Sequence, residues 1–191
     1  EPQTASNMTD ILKTHWLKGG YSSKRHEVQT YEQAEKMLRA AAADYLEAKP
    51  QTLAIETPFQ FPLRGIKVGG RIDRIDKLPD GRIEIIDYKT GSNVPDAKKL
   101  RDDLQLTFYA LAATETRDSI FNKTPDEIVL TLSYLDVNKK FSTTRTKEQL
   151  EVAKEKIISL IGDIESSDFV CSGNMLCKNC EYSMLCSTSV D

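Results

Sequence analysis

Apolar residues recur at helical spacing from Tyr31 to Ala48, where Ala34, Met37, Leu38, Ala41, Ala42, Tyr45 and Leu46 fall on one stripe, and Pro50 ends the run. The period then shortens to two. Thr52–Phe61, Ile66–Lys77 and Arg82–Thr90 read as strands of an antiparallel meander, punctuated by Gly65, Gly69 and Gly70. Asp96 is placed to cap a helix that continues through Lys98, Leu100, Leu104, Phe108, Leu111 and Ala112. Glu127–Asp136 reads as a further strand and Lys147–Ile164 as another amphipathic helix. The first thirty residues, mixed and polar around Trp16, predict only loose helix. The order α-β-β-β-α-β-α gives a mixed α/β domain built on a central sheet, with no internal repeat, low-complexity tract or second domain.

Composition sets limits on partners. The 191 residues are 39% hydrophobic and 29% charged, enough for an ordinary core. Lys and Arg number 26 against 29 Asp and Glu, a net charge of −3, so any nucleic-acid contact must come from a local basic patch. No apolar run approaches a membrane span and no signal-peptide pattern is present, which predicts a cytoplasmic protein without membrane contact. The chain opens Glu-Pro-Gln, and a fragment of something longer is expected.

The chemistry concentrates in the second and third strands. Gly-Arg-Ile-Asp-Arg-Ile-Asp (70–76) and Ile-Ile-Asp-Tyr-Lys-Thr-Gly (85–91) are joined by Pro79-Asp80-Gly81, a three-residue hairpin loop with Gly at the left-handed position. In that register Leu78 pairs with Arg82, and Asp73 falls opposite Asp87 with β-carbons roughly 5 Å apart. Asp87 and Lys89 share a strand face, while Tyr88 points the other way. Opposed carboxylates repel unless a cation lies between them, so the pairing predicts a metal, and hard oxygen ligands favour Mg²⁺ or Mn²⁺. Lys89 is placed to stabilise negative charge growing on a phosphate. The same spacing also fits a plain polar hairpin with a surface Asp-Lys pair. Gln105 and Tyr109, four residues apart on a helix, can reach one site together, or form a core Tyr-Gln hydrogen bond. Arg71 and Arg74 beside the carboxylate, and Lys98, Lys99 and Arg101 on the next helix, are candidate phosphate contacts or solvated surface charges.

The ordered set Gly-x-Ile-Asp-Arg-Ile-Asp, short hairpin, Asp-Tyr-Lys-Thr-Gly and Gln105-x-x-x-Tyr109 resembles the RecB/AddB branch of the PD-(D/E)XK nucleases, over about residues 56–109. The resemblance implies a restriction-endonuclease-like core, a central mixed sheet flanked by helices, over a single domain spanning residues 1–191. It makes Asp73 and Asp87 metal ligands with the Tyr88 backbone carbonyl, Lys89 the catalytic lysine, and Gln105 and Tyr109 members of the helical motif beside the site. It also implies a DNA substrate and a helicase domain or subunit as partner. One part of the pattern is absent. Such nucleases carry a metal-binding His in a Gly-x-x-x-His run, but His15 lies in Lys-Thr-His-Trp and His26 in Lys-Arg-His-Glu. The segment bearing that His is expected before residue 1.

The C-terminal segment is rich in cysteine. Cys171, Cys177, Cys180 and Cys186 form C-x5-C-x2-C-x5-C, a run that reads as a metal or cluster site more readily than as disulfides. Relatives with an iron–sulfur staple use C-x2-C-x5-C, matched by Cys177, Cys180 and Cys186, with a fourth Cys upstream. A [4Fe–4S] cluster ranks first, with zinc or free thiols as alternatives. The combined expectation is a Mg²⁺- or Mn²⁺-dependent DNA exonuclease acting in repair or recombination. A noncatalytic DNA-binding or architectural module on the same fold is the rival, and a secreted disulfide-bonded protein the weaker third.

Overall fold

The computed structural model describes residues 5–118, 120–168, 177 and 180–182. Along the chain come α1 (Ala5–His15), α2 (Lys24–Ala48), β1 (Gln51–Leu63), β2 (Ile66–Lys77), β3 (Ile83–Lys89), α3 (Ala97–Arg101) and α4 (Leu104–Glu115). A 3-10 turn (Pro125–Glu127), β4 (Ile128–Tyr134), β5 (Lys139–Thr143) and α5 (Lys147–Glu165) follow. The chain forms two compact units, Glu1–Ala153 and Lys154–Asp191, and the first contains the whole sheet. No helix among the described residues is long and apolar enough to cross a membrane.

The five strands lie in sequence order, β1-β2-β3-β4-β5, and all neighbours are antiparallel except β3 and β4. A parallel pair needs a crossover, which α3 and α4 supply. The expected mixed sheet flanked by helices is therefore present. The hairpin also takes the expected register, from Arg74↔Ile86 to Lys77↔Ile83. Its loop is closed by the Leu78 N–H on the Arg82 carbonyl at 2.8 Å and the Gly81 N–H on the Leu78 carbonyl at 3.0 Å. Gly81 has φ 92°, a conformation a side chain would strain.

Ile75, Ile83, Ile85, Leu106, Leu111, Leu130 and Leu132 are all buried, and each such side chain contributes about 1.5–3 kcal/mol through burial. Seven of the twelve α4 residues are buried, because this helix is apolar nearly all round. On the other sheet face, the Arg74 guanidinium lies 5.0 Å over the Tyr45 ring of α2.

Three elements differ from the periodicity reading. Helix α2 begins at Lys24, seven residues early, because the Ser23 hydroxyl accepts the His26 N–H at 3.1 Å and caps it there. Strand β5 was not expected: Lys-Lys-Phe-Ser-Thr is too polar to show a half-buried period, and it is an edge strand. The helix from Asp96 is two helices, since Asp96 caps α3 through the Lys99 N–H at 2.8 Å and Asp103 caps α4 through the Leu106 N–H at 2.8 Å.

Arg145 fixes that break. Its Nη2 donates to the carbonyls of Leu100 and Asp103, each at 3.2 Å, and its Nε to the Thr107 hydroxyl at 3.1 Å. The residue is 5% exposed, so these acceptors have no water to fall back on. Arg145→Ala is expected to lower unfolding free energy by about 2–4 kcal/mol, because several buried acceptors lose their donor together. Urea denaturation followed by circular dichroism measures it, and a loss below about 1 kcal/mol would contradict this role.

Candidate active site

Asp87 is a carboxylate at 3% exposure at the end of β3. A buried charge is costly unless partners compensate, and the sequence brings three. Lys89, two residues on and therefore on the same face, holds its ammonium 2.7 Å from Asp87 Oδ2. The Tyr109 hydroxyl, from α4, donates to Asp87 Oδ1 at 3.0 Å. Gln105, one helical turn before Tyr109, closes a ring: its Oε1 accepts from the Lys89 ammonium at 2.6 Å and its Nε2 donates to the Tyr109 hydroxyl at 2.9 Å. The four residues form one directed circuit that sets the orientation of the Gln105 amide.

Asp73 joins from β2. The β2–β3 ladder stops at Arg74↔Ile86, one pair short of Asp73 and Asp87. Asp73 Oδ2 instead accepts the Tyr88 N–H at 2.9 Å, so the two carboxylates are tied to one peptide unit rather than paired across a regular ladder. The backbone irregularity sits here too. Glu56, between the pairs Ile55↔Arg74 and Thr57↔Ile72, takes φ 47°, and Ile72 and Ile75 are both fully buried although they stand three positions apart. Such a break re-aims side chains at functional edges.

The ring leaves one loose end. Asp87 Oδ2 is buried, and although the Lys89 ammonium is at ion-pair distance, no hydrogen bond is aligned with that oxygen. A buried carboxylate oxygen with an unused lone pair, beside a second carboxylate, fits a hard divalent cation that keeps several of its own waters. Among the described residues no group of three or more His, Cys, Asp or Glu side chains is gathered, so the protein's share of such a shell is small. His26 is engaged elsewhere, with the Ser22 hydroxyl 3.0 Å from its Nδ1 and the Tyr21 ring packed edge-on.

Two features of the surroundings were not read from the sequence. Asp136, after β4, accepts the N–H of Gly91 and the side-chain amide of Gln33, latching the turn that follows Lys89 to α2. Gly91 has φ 103°, which only glycine adopts without strain. The expected phosphate contacts divide. Arg74 is not one of them, because Asp76 holds its guanidinium through two contacts of 2.8 Å, Tyr88 Oη accepts from it at 3.2 Å, and all of this lies on the opposite face. Arg101 pairs with Asp102 at 3.2 Å, and Arg71 stays exposed. Of the cysteines, Cys171 and Cys186 lie outside the described residues. Cys177 is half-buried and Cys180 exposed, and the Cys180 N–H donates to the Cys177 carbonyl at 3.2 Å.

The family model described as the PD-(D/E)XK nuclease superfamily matches residues 1–187. An ATP-dependent helicase/deoxyribonuclease subunit of Streptococcus agalactiae is 24% identical over 184 residues, covering 93% of this chain and 16% of that protein. The Gene 69 protein of Mycobacterium phage L5 is 45% identical over 73 residues, 38% of this chain and 23% of that protein. The chain thus spans less than a quarter of the length of either relative. The crystal structure of a Eubacterium rectale protein named "Putative exonuclease" superposes with a TM-score of 0.52 at 14% identity, covering 94% of this chain and 75% of that one, and shares the fold.

Burial, followed by the charge of Asp87, pushes the Tyr109 hydroxyl above the ordinary tyrosine pKa. A raised folded-state pKa contributes stability that is complete below the unfolded value near pH ~10 and is lost as pH rises past it. Tyr109→Phe is therefore expected to be less stable than wild type by about 1–3 kcal/mol at neutral pH, since Asp87 Oδ1 loses its donor. The gap should narrow above pH ~10. Urea midpoints taken from neutral to alkaline pH test this, and parallel profiles throughout would mean the hydroxyl is not held against Asp87.

Proposed function

Because the chain belongs to the PD-(D/E)XK nuclease superfamily, we propose that it hydrolyses DNA phosphodiester bonds, as an exonuclease working with a helicase domain or subunit in repair or recombination. The supporting observation is the Asp87-Lys89-Gln105-Tyr109 circuit with Asp73 anchored beside it. The helicase partnership draws on the name of the streptococcal relative, and the exonuclease reading on the name of the Eubacterium rectale protein.

Mg²⁺ or Mn²⁺, held by Asp73 and Asp87 with the Tyr88 carbonyl as a further oxygen, would supply Lewis-acid polarisation of the phosphate and a bound water of lowered pKa. Tyr109 keeps Asp87 oriented. With its own pKa raised, it remains a donor and cannot act as the base at neutral pH. Lys89 is the one cation of the circuit with access to solvent, its side chain 33% exposed against 4% for Asp87. Gln105 holds that ammonium at the rim, where it neutralises charge growing on a phosphate oxygen. The small shell of protein ligands favours a second reading, a DNA-binding module with little hydrolysis of its own. The cysteine segment is proposed to carry a [4Fe–4S] cluster, with zinc as the alternative, on the C-x5-C-x2-C-x5-C spacing and the turn joining Cys177 and Cys180.

Asp87→Ala and Lys89→Ala should each lower Mg²⁺- or Mn²⁺-dependent cleavage of end-labelled DNA by about 10²-fold or more. Asp87→Ala should remain folded. Cleavage within tenfold of wild type in either variant would sink the assignment, and wild-type protein that binds DNA without cutting it would establish the second reading.

Iron and sulfide analysis with visible spectroscopy on anaerobically purified protein tests the cluster. A brown protein that loses colour in Cys180→Ser is expected, and a colourless protein carrying zinc would replace the cluster with the alternative.

A further inference from the structure

We propose that the solvent-facing side of the free end of the β1–β2 ribbon is a track for a DNA sugar–phosphate backbone, with Lys67 and Arg71 as its cationic contacts. The inference rests on DNA being the ligand, as in the reading above.

Strand β2 pairs with β3 only from Arg74 to Lys77, whereas its ladder with β1 runs on to Leu63↔Ile66. Residues 66–73 therefore form a two-stranded ribbon that extends past the site. One side of it is packed: Phe59, Phe61 and Leu63 are buried, and the Phe59 ring meets Tyr109 edge-on at 6.0 Å. Gly70 belongs to that side, where a β-carbon would lie 2.8 Å from the Phe59 ring. The other side carries Lys67, Gly69 and Arg71 at alternate positions, opposite Pro62, Gln60 and Pro58, and all six are exposed.

No carboxylate occurs among those six residues, in a chain whose net charge is −3. The acid that approaches is Glu56, 3.6 Å from Arg71, with both side chains about two-thirds exposed at 65% and 64%. An ion pair in that setting is worth little and gives way readily to a phosphate. Gly69 leaves no side chain between the two cations, which lets a second backbone come close. At strand rise Lys67 lies about 13 Å from Arg71 along β2, so the two cations form a line on the side of the ribbon turned away from Phe59 and Tyr109. Prolines at 58 and 62 in the edge strand β1 argue against recognition by strand addition and for recognition of the ribbon's face.

The test is the salt dependence of binding, measured by fluorescence anisotropy with a labelled oligothymidylate and a duplex of equal length, on full-chain protein carrying Asp87→Asn to prevent cleavage. Adding Lys67→Ala and Arg71→Ala should lower the slope of log affinity against log salt by about 1.4 for the single strand or about 1.8 for the duplex. The larger effect identifies which form runs along the track. Lys139→Ala with Lys140→Ala on β5 removes equal charge elsewhere and should leave the slope unchanged. An unchanged slope in a Lys67/Arg71 variant that melts like its parent, or an equal loss from the β5 pair, overturns the proposal. DNA cleavage by wild type with an unchanged slope removes the track alone, whereas a fallen slope in a protein that cuts no DNA leaves the track and removes the nuclease reading.

Discussion

The requirement to compensate a buried carboxylate organises this fold. Asp87 follows the buried apolar Ile83 and Ile85 on the inward face of β3, so its charge sits against the hydrophobic core. Leaving it unpaired there would cost several kcal/mol, a sizeable part of the marginal stability of a domain. The compensation cannot come from β3 alone, because Lys89 reaches only one of the two oxygens. Helix α4 must therefore cross this face with Gln105 and Tyr109 turned inward, and that fixes both its position along the sheet and its rotation about its axis.

The rotation depends on where α4 starts. A single helix running on from Asp96 would carry its phase through Lys98 and Leu100, with no freedom to adjust at Gln105. The break at Asp102 and Asp103 restarts the helix, and each end acquires its own cap. Breaking a helix exposes carbonyls that need donors. Arg145, arriving from beyond β5, supplies them at Leu100 and Asp103 and fastens Thr107 as well. A residue forty positions away in sequence thus governs the orientation of the pair that holds Asp87 and Lys89.

Local signals made much of this legible. The Pro79-Asp80-Gly81 loop fixes the hairpin register through short-range turn geometry, and that register places Asp87 and Lys89 on one face. The i, i+4 spacing likewise puts Gln105 and Tyr109 together before any tertiary contact is known. Illegible features have long-range causes. The Arg145 plug and the Asp136 latch join residues separated by about forty positions or more, with no periodicity to mark them. The irregular backbone beside Asp73 includes Glu56 in the neighbouring strand, so the hairpin register alone suggested a direct Asp73–Asp87 pair that the ladder does not contain. Arg74 was misread for a related reason: its charge suggested phosphate, but strand parity put it on the far face with an acid two residues away.

Tyr88 joins the two faces. Its backbone N–H holds Asp73 on the site side, while its hydroxyl accepts from Arg74 on the other, beside a cavity of about 360 Å³ also lined by Tyr45, Asp76 and Ile86. Arg74 is in turn gripped by Asp76 at both ends of its carboxylate, with 13% and 5% of their side chains exposed. A partly buried, bidentate pair of this kind has little rotamer freedom, unlike the exposed pairs elsewhere on this chain. The residue between Asp87 and Lys89 is therefore clamped through its side chain by a rigid group on one face, so that its peptide can anchor a carboxylate on the other. The identity of that middle residue is constrained by packing behind the sheet, even though only its backbone faces the chemistry.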